Sequence, residues 1–211
     1  MNKTKLYIIR HAETIGNIEH RLTGRKDYEL TRKGIETTKI LDKELKNVKF
    51  DIAYSSTSAR TLKTIQEVAN RNGLAIKMLE DLCEMYFGIY DGEKWDDVNK
   101  INPRIKQRQN EVNLIEGIEN QETMEQVAER MYKCISDICE ENIGKTIIIC
   151  SHGVAIEAFL RKIKDIPFCQ QREKFCQHNT AINELEYENG EFYILRLADV
   201  DYISKRMDFE R

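Results

Sequence analysis

A chain of 211 residues fits one domain and falls short of two full-sized ones, so a single core is expected over 1–211. Hydrophobic residues make up 41% and charged residues 33%, which excludes disorder, and a net charge of −3 gives no footprint for nucleic acid, so any anion site must be a local cluster. No apolar stretch approaches the roughly 18 residues of a membrane helix, and Leu6-Tyr7-Ile8-Ile9 is too short for a signal-peptide core, so a cytoplasmic protein with no membrane partner is expected.

Lys5 to Arg10 is a β-rich apolar run that stops at His11, and it predicts a buried strand. A long polar loop follows, then helical periodicity from Arg32 to Leu45. Asp51 to Ser55 repeats the strand pattern and runs directly into a helix over Ser58 to Asn70. Trp95 to Asn120 is polar and helix-compatible but interrupted at Pro103. From Thr123 to Glu141, Met124, Val127, Ala128, Met131, Ile135 and Ile138 form one apolar stripe at helical spacing, which is core. Lys145 to Ser151 is the third strand of the buried type, followed by a helix over Val154 to Ile163. Ala181 to Tyr187 and Phe192 to Leu197 flank Asn189-Gly190, a strong hairpin signal, so an antiparallel pair joins the sheet. The charged residues 199–211 are expected to be a mobile tail, and no apolar edge strand is legible, which leaves the oligomeric state open. The alternation of strand and helix predicts a three-layer α/β/α fold with a mixed, mostly parallel sheet.

In such sheets ligands bind at the carboxyl ends of the strands. Two predicted strands deliver a histidine there, at Arg10-His11 and Ser151-His152-Gly153. Arg10, Arg60 in the first turn of the next helix, and a helix N-terminus beyond Gly153 concentrate positive potential at the same edge, in an arrangement sized for phosphate. The cysteines at 83, 134, 139, 150, 169 and 176 show no C-x-x-C pair and are expected to be reduced and mostly buried; no metal site or cofactor is expected.

The combined motifs resemble the histidine phosphatase superfamily, with its phosphoglycerate mutase-like fold. Arg10-His11-Ala12-Glu13-Thr14 is similar to the family's Arg-His-Gly-Glu signature, with Asn17, Arg21, Gly24, Asp27, Leu30, Thr31 and Gly34 in the loop and helix start that follow. Tyr54-Ser55-Ser56 with Arg60 and Thr64 resembles a second block, and Glu84 with Phe87, Gly88, Tyr90 and Gly92 a third. Glu122-Thr123, Val127 and Arg130 resemble a weaker fourth, and Ser151-His152-Gly153 closes the set. The resemblance implies a phosphatase acting on small phosphomonoesters through a phosphohistidine at His11. It gives Arg10, Arg60 and His152 the phosphate oxygens, His152 as a cation, and Glu84 the role of general acid and then base, starting protonated. Asn17, Thr23, Gly24 and Gly153 complete the expected phosphate-binding set.

Ala12 replaces the commoner glycine, and is compatible with a negative φ. Val154-Ala155 stands where the glycolytic mutases have Gly-Asn, and Trp95 to Asn120 lacks their Arg-Arg pair, so phosphoglycerate mutase is the competing reading and an inactive phospholigand-binding protein the second. Substrate choice is expected to lie in Trp95 to Asn120 and in the Asp165 to His178 loop.

Overall fold

The computed structural model describes residues 3–103, 117–167 and 175–207. Much of the two segments expected to set substrate choice, Trp95 to Asn120 and Asp165 to His178, lies outside the described residues, at 104–116 and at 168–174 with Cys169.

Six strands, β1 (Thr4–Arg10), β2 (Ile52–Ser55), β3 (Ile76–Met78), β4 (Thr146–Ser151), β5 (Ile182–Glu188) and β6 (Glu191–Asp199), form one sheet in the order β3-β2-β4-β1-β5-β6. The pairs β3-β2, β2-β4 and β4-β1 are parallel, and β1-β5 and β5-β6 are antiparallel. Seven helices are described: α1 (Ile15–Ile18), α2 (Arg32–Glu44), α3 (Ala59–Arg71), α4 (Trp95–Ile101), α5 (Met124–Glu141), α6 (Gly153–Ile163) and α7 (Asp201–Met207).

The central strands read as unbroken apolar runs because both faces are covered. Leu6, Ile8, Ile147 and Ile149 face α5 and α6, meeting Val127, Met131, Ile135 and Phe159. Tyr7, Ile9, Ile148 and Cys150 face the other way, against Ile40 and Leu41 of α2, Ile65 and Val68 of α3, and Tyr202 of α7. These are the three layers expected.

Local signals set the element ends. Thr31 caps α2 by accepting the Gly34 N–H at 2.9 Å. Gly34 is needed for close approach, since a Cβ there would lie 2.2 Å from the Glu13 carbonyl oxygen, just after the first histidine. Thr123 and Gln126 form a reciprocal capping box at α5. In the β5-β6 turn, Asn189 and Gly190 both have positive φ, 53° and 86°, the signature of a type I′ hairpin.

Four elements depart from expectation. β3 has three residues and α1 four, too few to show a period. Asp201–Met207, expected in a mobile tail, forms α7, where buried Tyr202 donates to the Thr180 carbonyl at 2.7 Å. The edge strand β6 exposes Tyr193 (46%) and Leu195 (55%), so an apolar edge exists where none was read. Cys83, Cys134, Cys139 and Cys150 are buried free thiols and Cys176 is an exposed one.

Candidate active site

The register brings the carboxyl ends of β2, β4 and β1 side by side, Arg10 opposite Ser151 and Ser55 opposite Cys150. The residues just past those ends therefore meet at one point of the sheet edge. The His11 and His152 rings lie there with centroids 5.3 Å apart, both buried.

His11 is fixed by its own backbone neighbour. Nδ1 lies 2.8 Å from the Ala12 carbonyl oxygen, which can only accept, so Nδ1 carries the proton and Nε2 keeps its lone pair. Burial, with Arg10 and Arg60 adding positive potential, holds this imidazole well below its usual range, so it is neutral at pH 7. Ala12, absent from the positive-φ residues, donates its N–H to Thr64 Oγ1 at 2.8 Å, so the segment after β1 is tied to α3.

His152 is held at both ring nitrogens. Arg60 donates to Nδ1 from Nε at 3.2 Å and Nη2 at 3.0 Å, which makes Nδ1 the acceptor and Nε2 the donor, to Ser56 Oγ at 2.8 Å. Ser56 meets Thr61 Oγ1 at 2.8 Å, and Thr61 donates to the Ser58 carbonyl at 2.7 Å, so the chain of donors is complete. With Arg60 donating to Nδ1, His152 is neutral in this structure, and the expected cation requires that bond to be given up. Burial, Arg60, His11 and Arg10 all act to hold it well below the usual range. A phosphate dianion that takes Arg60 for itself would reverse that balance at Nδ1.

Arg60, with no side-chain exposure, uses all five N–H donors. Besides His152 it reaches the Lys26 carbonyl, Asp27 Oδ1 and the Gly24 carbonyl at 2.8, 3.0 and 2.8 Å. Asp27 also accepts from the Ala59 N–H at the start of α3, doing there what the Ser58 side chain does not. Arg10 is less committed. Nη1 donates to the Gln177 carbonyl, but Nε is buried without a partner among the described residues, against Gly153, where a Cβ would come within 3.3 Å of it. An orphaned buried guanidinium donor costs free energy unless an acceptor arrives, and a phosphate oxygen is such an acceptor.

Glu84 reaches the same place from the segment after a single-turn helix at Glu80–Leu82. Its Oε1 accepts from the Met85 and Ala155 N–H groups, each at 2.9 Å, and Oε2 from Val154 N–H at 3.1 Å. The carboxyl thus sits on the first turn of α6, and the contacts come from backbone, so the Val154-Ala155 pair makes them as well as Gly-Asn would. A carboxyl has about four acceptor sites, three of which are filled; the proton expected on it has one place left.

The rest of the expected set divides. Asn17 lies beside the nucleophile: its Oδ1 accepts from Asn179 Nδ2 at 3.2 Å, and the same Asn179 amide donates to the His11 carbonyl at 3.0 Å. Its Nδ2 has no partner among the described residues. Thr23 is turned to its own loop, donating to the Arg21 carbonyl. Gly24 does not present its N–H to the histidines, because the Asp91 carboxylate takes it at 2.7 Å together with the N–H groups of Arg25 and Lys26. Gly24 is corrected here to a loop residue whose carbonyl accepts from Arg60, and Thr23 to one that bonds within its own loop. Asp91 had no assigned role; its only signal was its place in Tyr90-Asp91-Gly92. Thr14 forms a capping box with Asn17 on α1, and the Glu13 carboxylate accepts from the Thr31 hydroxyl at 2.8 Å. His20 and His178 are exposed loop residues away from these contacts. Among the described residues no group of three His, Cys, Asp or Glu side chains could hold a metal ion.

A family model described as histidine phosphatase superfamily (branch 1) matches residues 6–200. The chain belongs to the histidine phosphatase superfamily. Among similar histidine phosphatase-fold structures, that of YhfR from Bacillus stearothermophilus superposes with a TM-score of 0.89, at 28% identity over 95% of this chain and 99% of that one. Phosphoserine phosphatase from Entamoeba histolytica in complex with 3-phosphoglyceric acid gives 0.82 at 25% identity, over 95% and 99%. A probable phosphoglycerate mutase GpmB from Yersinia pestis (strain Pestoides F) is 26% identical over 189 residues, 88% of this chain and 86% of that protein. Of the described residues, no helix is long and apolar enough to cross a membrane.

Proposed function

We propose that this enzyme hydrolyses small phosphomonoesters through a phosphohistidine on His11. The observation that carries the reading is the His11 tautomer: Nδ1 is tied to Ala12, and among the described residues neither His11 Nε2 nor the buried Arg10 Nε has a hydrogen-bond partner. In the first step Nε2 attacks phosphorus, the bond to the ester oxygen breaks, and Glu84 gives that oxygen its proton. Arg10, Arg60 and His152 take the equatorial oxygens, His152 as donor once protonated at Nδ1. In the second step water attacks the phosphohistidine, Glu84 takes its proton, and phosphate leaves with Nε2 restored. Every step is served by side chains of this chain, so no cofactor is proposed, and the five free thiols among the described residues fit a reducing, cytosolic setting.

The name of the GpmB relative supports a second reading, phosphoglycerate isomerisation, and the same experiment separates the two. With 3-phosphoglycerate, phosphoserine and sugar phosphates as substrates, steady release of inorganic phosphate is expected, unaffected by EDTA and inhibited by vanadate. Efficient formation of 2-phosphoglycerate primed by 2,3-bisphosphoglycerate, with phosphate release slower by orders of magnitude, would replace hydrolysis by mutation of the phosphate position.

A further inference from the structure

Glu84 is carried by irregular backbone, and its carboxyl must lie within a fraction of an ångström of the leaving oxygen to transfer a proton. Three N–H groups of neighbouring backbone orient the carboxyl. What holds its main chain is a different set of contacts, from Glu122 and Arg130.

Arg130, in the second turn of α5, pairs with Glu122 through two parallel bonds, Nε to Oε1 at 2.8 Å and Nη2 to Oε2 at 3.1 Å. Its other donors go to the acid segment: Nη1 to the carbonyls of Asp81 and Cys83, both at 2.8 Å, and Nη2 to the Glu84 carbonyl at 3.2 Å. All five donors are used. Glu122 completes the grip from the other side. Its Oε2 accepts the Tyr86 N–H at 2.8 Å, and its own N–H donates to the Tyr86 carbonyl at 3.0 Å. Main-chain groups at 81, 83, 84 and 86 are thereby fixed to the start of α5. Burial raises the Glu122 carboxyl, but Arg130 and the Tyr86 N–H outweigh it and bring it below its usual value, so the pair stays charged throughout the neutral range.

We infer that Glu122 and Arg130 are positioning residues for the acid, acting on the reaction through the place they give Glu84. Neither contacts the histidines or Arg60 in any hydrogen bond. The planar fork of Arg130 is required, because a lysine ammonium cannot span the Glu122 carboxylate and three carbonyls at once. The inference rests on Glu84 being the general acid.

The test separates positioning from plain stability by using leaving groups. p-Nitrophenyl phosphate departs without a proton, and an alkyl phosphate such as glycerol phosphate does not. Glu122→Gln and Arg130→Lys should each lower kcat/KM for the alkyl ester by about 10- to 100-fold while changing that for the nitrophenyl ester by less than about 3-fold. In a Glu84→Gln background the same substitutions should add almost nothing on the alkyl ester. Glu122→Gln is nearly isosteric, so it remains informative where Arg130 variants fold poorly. Equal losses on both esters, or losses that multiply with that of Glu84→Gln, would reduce the pair to a structural brace. If Glu84→Gln alone splits the two substrates and the pair variants do not, the positioning inference fails and the acid stands; if Glu84→Gln itself shows no split, the acid assignment fails and this inference falls with it.

Discussion

The two halves of the site are built differently. On one side, Arg10, His11, Ser56, Arg60 and His152 are set by the ends of three adjacent parallel strands and the first turn of α3, and sheet register puts the strand-end residues together. On the other, Glu84 and Asp91 lie on irregular segments fixed by side chains bonding to distant main chain: Arg130 to the carbonyls of 81, 83 and 84, and Asp91 to the N–H groups of 24, 25 and 26. Rigid elements hold the nucleophile and phosphate donors, which must act in every turnover with the same geometry. The acid needs only to be near the leaving oxygen, so a braced loop suffices.

Substitutions should reveal that difference. On the strand side, His11→Ala removes the only covalent route and should lower kcat by at least about 10⁴-fold on every ester, whatever its leaving group. On the loop side, Glu84→Gln should lower kcat/KM for alkyl phosphates by about 10²- to 10⁴-fold and leave p-nitrophenyl phosphate far less affected, with a burst of nitrophenol as breakdown of the phosphohistidine becomes limiting. Stopped-flow absorbance distinguishes the two patterns; a Glu84 variant that behaves like His11→Ala would erase the division of labour.

Stability should separate the halves too. Arg60→Ala strips a fully buried guanidinium from two carbonyls, Asp27 and His152, and should cost about 3 kcal/mol in urea unfolding. Glu122→Gln, on a partly exposed pair, should cost about 1 kcal/mol or less.

Stability should also depend on pH. His11 and His152 both stay neutral in the fold well below the value near 6.5 at which they protonate in the unfolded chain. Below about pH 6.5 the unfolded chain therefore binds more protons, so stability is full above that pH and declines as pH falls beneath it, by up to about 1.4 kcal/mol per unit for each histidine. Urea midpoints at pH 7.5, 6.5 and 5.5 should show the decline, and His152→Gln should flatten it; an unchanged slope would mean that His152 is not held neutral.

The same contrast governs what could be read from sequence. Arg10, His11, Arg60 and His152 were legible because an apolar run ending in a polar residue marks a strand end, and parallel strand ends share an edge. The helices α2, α3, α5 and α6 were legible from their helical periodicity. The bracing by Asp91 and Arg130 was not, because each bonds to backbone more than 40 residues away, and backbone carries no letter in the sequence. Gly24 failed for the same reason: its N–H was predicted for phosphate, and only the fold shows Asp91 occupying it. β3 was too short and exposed to show alternation. In α7, Tyr202 and Ile203 pack inward within a charged run, too little apolar content to reveal a stripe.

The central claim is that phosphate passes through His11, and trapping the intermediate tests it most directly. After brief turnover of a ³²P-labelled phosphomonoester and denaturation without acid, the peptide containing His11 should carry a phosphate that is labile in acid and stable in base. Label on a serine, cysteine or aspartate, or label that persists unchanged in the His11→Ala variant, would contradict the account.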